Sequence, residues 1–321
     1  DVDRSRGLGD VYKRQISDSD DRYDFYHRKE EKVPFDLDYL NKITKGGLPN
    51  KTLNIALAGT GVGKSLFMCH VASSCLLQGR NVLYITCEMA EEKIAERIDA
   101  NLLDIPIQQL QDPLLTKQKY RAKIDVLKKK TQGKLVIKEY PTASAHVGHF
   151  KALLNELSLK KGFHPEIIFV DYLNICASSR YKGTIVNSYT YVKAIAEELR
   201  GLAGEYNVPI LSATQTTRSG YGNSNVEITD TSESFGLPAT ADLMFALIST
   251  EDMEELNQIM VKQLKNRYND PTVYKRFVLG IDRQKMRLYD CEQGAQDNII
   301  DAGDAPKSFT DTKKSFEGFK I

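Results

Sequence analysis

The segment Ala58-Gly59-Thr60-Gly61-Val62-Gly63-Lys64-Ser65 packs three glycines, a lysine and two hydroxyls into eight residues. It follows the apolar run LNIALA (53–58) and opens a stretch with helical spacing from Lys64 to about Gln78. Strand, glycine-rich turn and helix N-terminus, in that order, are the context a phosphate-binding loop needs. Gly59, Gly61 and Gly63 let the backbone curl so that its N–H groups point at phosphate oxygens. The helix N-terminus adds partial positive charge. Lys64 would reach the β- and γ-phosphates of a nucleotide, and Ser65 would ligate Mg2+. Thr60, Val62 and Leu66 belong to the same candidate nucleotide-binding stretch. The strict pattern begins with Gly, and this chain has Ala58 there; Lys64 and Ser65, which carry most of the chemistry, are in place. A plain glycine-rich turn is the competing reading, against which the Gly-Lys-Ser ending and both flanks weigh.

Other polar residues stand at the ends of apolar runs. EIIFVDYL (166–173) places Asp171 near a strand C-terminus, where open parallel sheets bind ligands, and the acid would hold magnesium through water. A turn-capping Asp is the alternative. Glu88 follows NVLYITC; a carboxylate there could align and deprotonate an attacking water. On position alone Glu88 reads equally as a surface acid beside Glu91 and Glu92. Gln215 ends VPILSATQ, where an amide could hydrogen-bond the γ-phosphate and report its loss; a loop glutamine fits as well. Lys265 and Arg267 in VKQLKNRYND are alternate residues of an extended segment and project to one side. Two such cations could meet a nucleotide held by a neighbouring subunit, though a solvated basic turn is the simpler reading of this segment by itself. Arg180 and Lys182 in SSRYKGTIVNS, and Arg218 in TTRSGYGNSNVEIT, lie in polar Gly/Ser-rich segments that could touch a phosphate backbone; ordinary surface loops have nearly the same composition. His146 and His149, three apart on an expected helix, lack the spacing of a metal site and read as surface residues.

These residues need elements to hold them. Strands are expected at 53–58, 81–86, 134–140, 166–173 and 208–213, and helices at 64–78, 91–103, 116–131, 146–161 and 188–206. The last is the clearest helix, with Val192, Ile195, Ala196, Leu199, Leu202, Ala203 and Tyr206 recurring at three and four. After about residue 241 the pattern changes to strands with short connections. Alternation followed by a strand-rich end points to a mostly parallel α/β sheet flanked by helices, with a C-terminal antiparallel extension. Residues 1–32 read as a charged arm or linker, with 1–15 resembling a cloning scar and 18–31 able to form a short helix. Residues 33–292 read as one large domain and 293–321 as a loose polar tail.

Composition narrows the function classes. Among 321 residues, 44 are Lys or Arg and 43 Asp or Glu, a net charge of +1. A histone-like basic coat is excluded, whereas a local basic stripe is not. No apolar run approaches the ~20 residues of a membrane helix. The five cysteines form no CxxC pair, which suits reduced thiols in a cytoplasmic protein.

In order, PFDLDYLNKITKGGLPNKTLNIALAGTGVGKS, YITCEMAEEKIAERIDANLLD, IIFVDYLNIC, NSYTYVKAIAEELRGLAGEYNVPILSATQTTR, GLPATADLMFALI and QLKNRYND resemble the RecA-like motor domain of replicative hexameric DNA helicases, over roughly residues 33–290. The resemblance implies a P-loop NTPase that takes ATP, or GTP as the alternative, and works as a six-membered ring on single-stranded DNA, with nucleotide between neighbours. It implies that Glu88 is the catalytic base, Gln215 the sensor, and Lys265 and Arg267 a pair acting in trans. It places DNA contacts in loops 178–187 and 217–227, and makes a primase and a helicase loader the expected partners. Such helicases also carry an N-terminal collar domain, for which there is no room before Val33, so a fragment or a reduced homologue is expected. A RecA/RadA-type recombinase and a non-hydrolysing nucleotide-binding scaffold are the alternatives.

Overall fold

The computed structural model describes residues 23, 27, 31–181, 186–216, 236–292, 294 and 296. Lys182 and Arg218 lie outside them, as do most of the arm and of the tail. From Val33 onward the chain forms one compact unit.

That unit is built on a nine-stranded sheet of described residues. Its strands are β1 (Leu53–Ala58), β2 (Val82–Thr86), β3 (Leu135–Glu139), β4 (Ile167–Asp171), β5 (Ile210–Gln215), β6 (Leu243–Ile248), β7 (Gln258–Asn266), β8 (Arg276–Asp282) and β9 (Arg287–Asp290). The spatial order is β9-β8-β7-β6-β1-β5-β4-β2-β3. The six strands from β6 to β3 run parallel, and β7, β8 and β9 extend the sheet as an antiparallel meander. This is the expected mostly parallel sheet with its antiparallel extension.

The helices are α1 (Asp38–Thr44), α2 (Lys64–Leu77), α3 (Glu91–Leu103), α4 (Lys117–Lys130), α5 (Val147–Lys161), α6 (Ser188–Tyr206), α7 (Gly236–Thr240) and α8 (Glu251–Glu255). Helices α2 and α3 cover one face of the sheet; α5 and α6 cover the other. Parallel strands covered on both faces read as continuous apolar runs, and every residue of β1 is buried. Its Leu53, Ile55 and Leu57 join the α5/α6 core, while the smaller Ala56 and Ala58 face α2. Small residues on that side let the phosphate-loop helix approach the sheet closely. Twelve of the fourteen α2 residues are buried, because α3 and the β8–β9 hairpin cover the side that the sheet leaves free. A helix enclosed on all sides shows no amphipathic stripe. Gly79 ends this helix at a φ of 83°, a left-handed value that suits glycine.

Two strand C-termini lie two residues from the sequence reading. β5 runs to Gln215 rather than stopping at 213, because its parallel pairing with β1 continues to the Ala58–Gln215 pair. β4 ends at Asp171, and Leu173–Ile175 form a short 3-10 turn. His146 is not on a helix: it caps α5, with its ring accepting from Gly148 N–H at 3.0 Å while the His149 ring accepts from the His146 N–H. No described residues form a group of three or more metal-ligating side chains. No helix of the described residues is long and apolar enough to cross a membrane. In the tail, Gln296 hydrogen-bonds both ways with Val278 on β8.

Candidate nucleotide site

Register aligns the chemistry. The C-terminal ends of β1, β5, β4 and β2 are neighbours in the sheet, with Ala58 paired to Gln215 and Thr86 to Asp171. Thr216 N–H then donates to Ala58 carbonyl, and Cys87 N–H donates to Asp171 carbonyl at 2.7 Å. Strands ~4.8 Å apart therefore deliver the phosphate loop, Gln215, Asp171 and Glu88 along one edge about 14 Å long.

A cleft of about 320 Å³ opens there, lined by Thr60, Gly61, Gly63, Lys64, Ser65, Leu66, Glu88 and Gln215 among others. Gly61 and Gly63 take φ values of 79° and 126°, left-handed backbone that glycine adopts without strain. Lys64 is 7% exposed, and its Nζ lies 3.4 Å from Gly59 carbonyl. Burial lowers its pKa, against the attraction of Glu88 and Asp171. Burial and the Asp171 charge push the Glu88 carboxyl up, against Lys64 and Arg97.

Asp171 is wholly buried. Its Oδ2 accepts from Tyr84 O–H at 2.9 Å, while its buried Oδ1 has no hydrogen-bond partner. Burial raises its pKa, opposed first by the Tyr84 bond. A buried carboxylate oxygen left open beside Lys64 and Ser65 fits a hydrated divalent cation, which would satisfy it through water. Tyr84→Phe should take away the Oδ2 partner, lowering stability by about 1–3 kcal/mol and pushing Asp171 further up. A urea or thermal melt checks the first effect.

Of the residues expected from sequence, Gly61, Gly63, Lys64, Ser65, Glu88 and Gln215 share this cleft, with Asp171 behind it. Lys265 and Arg267 do not reach it. β7 runs antiparallel to β6, so its Asn266 end pairs with Leu243, at the end of the sheet away from the phosphate loop. There Lys265 Nζ donates to Pro238 and Ala239 carbonyls, and Arg267 donates to Ala239 carbonyl and to Asp242 at 2.8 Å. The two cations do converge on one spot, as alternate positions require. Arg180 is ion-paired to Glu197 on α6.

Several contributors escaped the sequence reading. Arg97 and Arg283 line the cleft. Arg97 flanks the buried Ile94–Ile98–Asn101 stripe of α3, so a cation bordering the apolar face of the helix after Glu88 was the available signal. Glu198, nearly buried on α6, accepts from Ser178 O–H at 2.7 Å and from Ser179 N–H, fixing the start of the 178–187 segment. Asp242 is held by Arg200 through two bonds and by Leu53 N–H. Nothing in the local spacing announced either acid.

A phosphate loop, a strand-end acid, a glutamate just beyond the neighbouring strand and a glutamine on the strand between sit together on a RecA-like P-loop fold. Residues 33–276 match the family model described as the DnaB-like helicase C terminal domain, and the chain belongs to that family. It is 46% identical over 279 residues to the DnaB-like replicative helicase of Enterobacteria phage T4, covering 87% of this chain and 59% of that relative. It is 25% identical over 219 residues to the replicative DNA helicase DnaB of a Helicobacter pylori strain, covering 67% of this chain and 43% of that protein. The chain thus spans about half the length of these relatives. Two solved structures share the fold. One is described as a DnaB-like replicative helicase and its interactions with primase (TM-score 0.71, 16% identity, 90% of this chain and 71% of that one). The other is described as an ATPase domain (TM-score 0.69, 17% identity, 91% of this chain and all of that one). The resemblance read from the motifs therefore holds.

Proposed function

We propose that this chain is the NTP-driven motor of a replicative DNA helicase, hydrolysing ATP at subunit interfaces of a hexameric ring that translocates on single-stranded DNA. The observation that carries the reading is the single cleft holding Lys64, Ser65, Glu88 and Gln215 in front of Asp171. In it the loop N–H groups and Lys64 bind the triphosphate, and Ser65 and Asp171 would hold Mg2+, which would supply neutralisation of phosphate charge. Glu88 orients the attacking water and takes its proton. Gln215, tied through Thr216 to the strand that carries the phosphate loop, senses the γ-phosphate and passes its loss to the segment beyond residue 216, where Arg218 meets the DNA backbone with Arg180 and Lys182. Arg267 and Lys265 serve the neighbour's nucleotide. Their distance from the cleft of their own chain supports action in trans. Primase and a helicase loader are the proposed protein partners, in the cytoplasm.

The test is phosphate release with and without single-stranded DNA, run beside displacement of a forked duplex and particle imaging. DNA-stimulated hydrolysis, strand displacement and rings are expected. Filaments with strand exchange would transfer the chain to the recombinase reading, and nucleotide binding without turnover to the scaffold reading. Protein concentration is varied, because assembly follows mass action.

A further inference from the structure

The near-zero net charge hides a segregation. Residues 117–134 hold eight of the 44 basic residues and one of the 43 acids, Asp125. The rest of the chain carries 36 basic against 42 acidic side chains. Outside this stretch acids outnumber bases, so the positive charge is concentrated in residues 117–134.

Helix α4 supplies seven of the eight cations, and all seven are exposed. Tyr120, Ile124 and Leu127 form its half-buried inner seam, with Tyr120 O–H donating to Asp99 at 2.7 Å. Helical spacing sets Lys117, Arg121 and Lys128 along one flank of that seam and Lys119, Lys123 and Lys130 along the other. Among the described residues, Lys128 alone of these cations meets an acid, Asp125 at 3.5 Å. Lys119 touches only a carbonyl, that of Leu114. Helix stability does not account for the pattern. Cations favour the last turn, but Lys117 and Lys119 occupy the first, where the helix dipole opposes them.

The patch also stands apart from the nucleotide cleft. The chain leaving α4 meets the N-terminal ends of the strands, where Thr131 O–H donates to Leu76 carbonyl and Lys134 N–H to Asn81. The cleft and the departing segments after β4 and β5 belong to the C-terminal ends.

The residue types select the partner. Protein interfaces are depleted in Lys and enriched in Trp, Tyr, Met and Arg, whereas this patch has seven lysines, one arginine and a tyrosine committed to Asp99. Lysines without aromatic neighbours suit phosphates, which position a chain without reading its bases. A duplex, stiff over ~150 bp, meets one convex helix about 21 Å long at few phosphates; a single strand can follow both flanks.

We propose that α4 is a second DNA-binding surface, holding the phosphodiester backbone of single-stranded DNA outside the loops that follow β4 and β5. The proposal rests on the helicase reading, which supplies the strand. The full chain is titrated with labelled oligo(dT) at several salt concentrations, beside the triple variant Lys119→Gln, Lys123→Gln, Lys130→Gln. Loss of three phosphate contacts should flatten the plot of log affinity against log salt by about 2 and weaken binding at least about tenfold at low salt. Hydrolysis at saturating DNA should stay as in the parent. A photoreactive oligo(dT) should cross-link to the 117–134 peptide in the parent and not in the variant. An unchanged slope with no such cross-link would overturn the proposal. So would an equal loss of duplex binding, or poly(Glu) displacing oligo(dT) from the patch as well as oligo(dT) itself does, which would mark an acidic protein's site. A parent without DNA-stimulated hydrolysis would sink the helicase reading instead, and the two salt slopes would still decide α4.

Discussion

Replacing Glu88 with glutamine should cut NTP hydrolysis by about 10²–10⁴-fold while leaving nucleotide binding close to the parent's. The amide keeps the size and polarity of the side chain at the cleft wall but cannot take a proton from water. Lys64, Ser65 and Asp171, to which the proposed function gives the phosphates and the metal, are untouched, so a fluorescent nucleotide should still titrate normally while phosphate release collapses. Lys64→Ala makes the contrast, since it removes the buried cation of the phosphate loop and should lose binding first. The pH profile adds a second signature. Burial and Asp171 push the Glu88 carboxyl above the ordinary carboxylate range, and a base works only when deprotonated. Hydrolysis by the parent should therefore fall as pH drops through that raised value, and the residual activity of Glu88→Gln should lack this acid limb. A variant retaining more than about a tenth of parental turnover would remove Glu88 from the base role.

The residues of this cleft were legible because each sits at the end of its own apolar run. Ala58, Thr86, Asp171 and Gln215 all mark the point where a buried strand stops, and parallel strands stop on the same side. Sheet order was not legible. Ala58 and Gln215 pair directly across more than 150 residues of chain, and no local pattern states which strands are neighbours. The same limit hid Tyr84. Its alternate position reads as one more core aromatic, and only the pairing of β2 with β4 turns its hydroxyl toward Asp171. Arg200 and Asp242 lie 42 residues apart and meet because β6 begins beside α6. His146 misled for a different reason: a ring accepting from a backbone N–H can cap a helix, a task usually given to Ser, Thr, Asp or Asn.

Arg267→Ala should lower hydrolysis by about 10³-fold or more with little change in melting temperature, and these two readouts together separate a role in trans from a structural one. Within its own chain Arg267 gives one bond to Asp242, a 4% exposed carboxylate that Arg200 and Leu53 N–H already serve. Burial alone would raise Asp242; the Arg200, Leu53 and Arg267 bonds instead hold it below the usual carboxylate range. Removing Arg267 leaves the two Arg200 bonds, whereas Arg200→Ala takes both away and should be the variant that melts early. If Arg267 worked only as a third partner of Asp242, its loss would move stability and spare turnover. A finger reaching the neighbour's phosphates gives the reverse. Mixing decides between the two. Glu88→Ala and Arg267→Ala subunits are each inactive alone, but in a mixed ring an interface pairing Glu88 from one with Arg267 from the other is intact. Activity should therefore return on mixing and peak near equal proportions. Rings that form yet stay silent in every mixture would confine Arg267 to the Asp242 cluster.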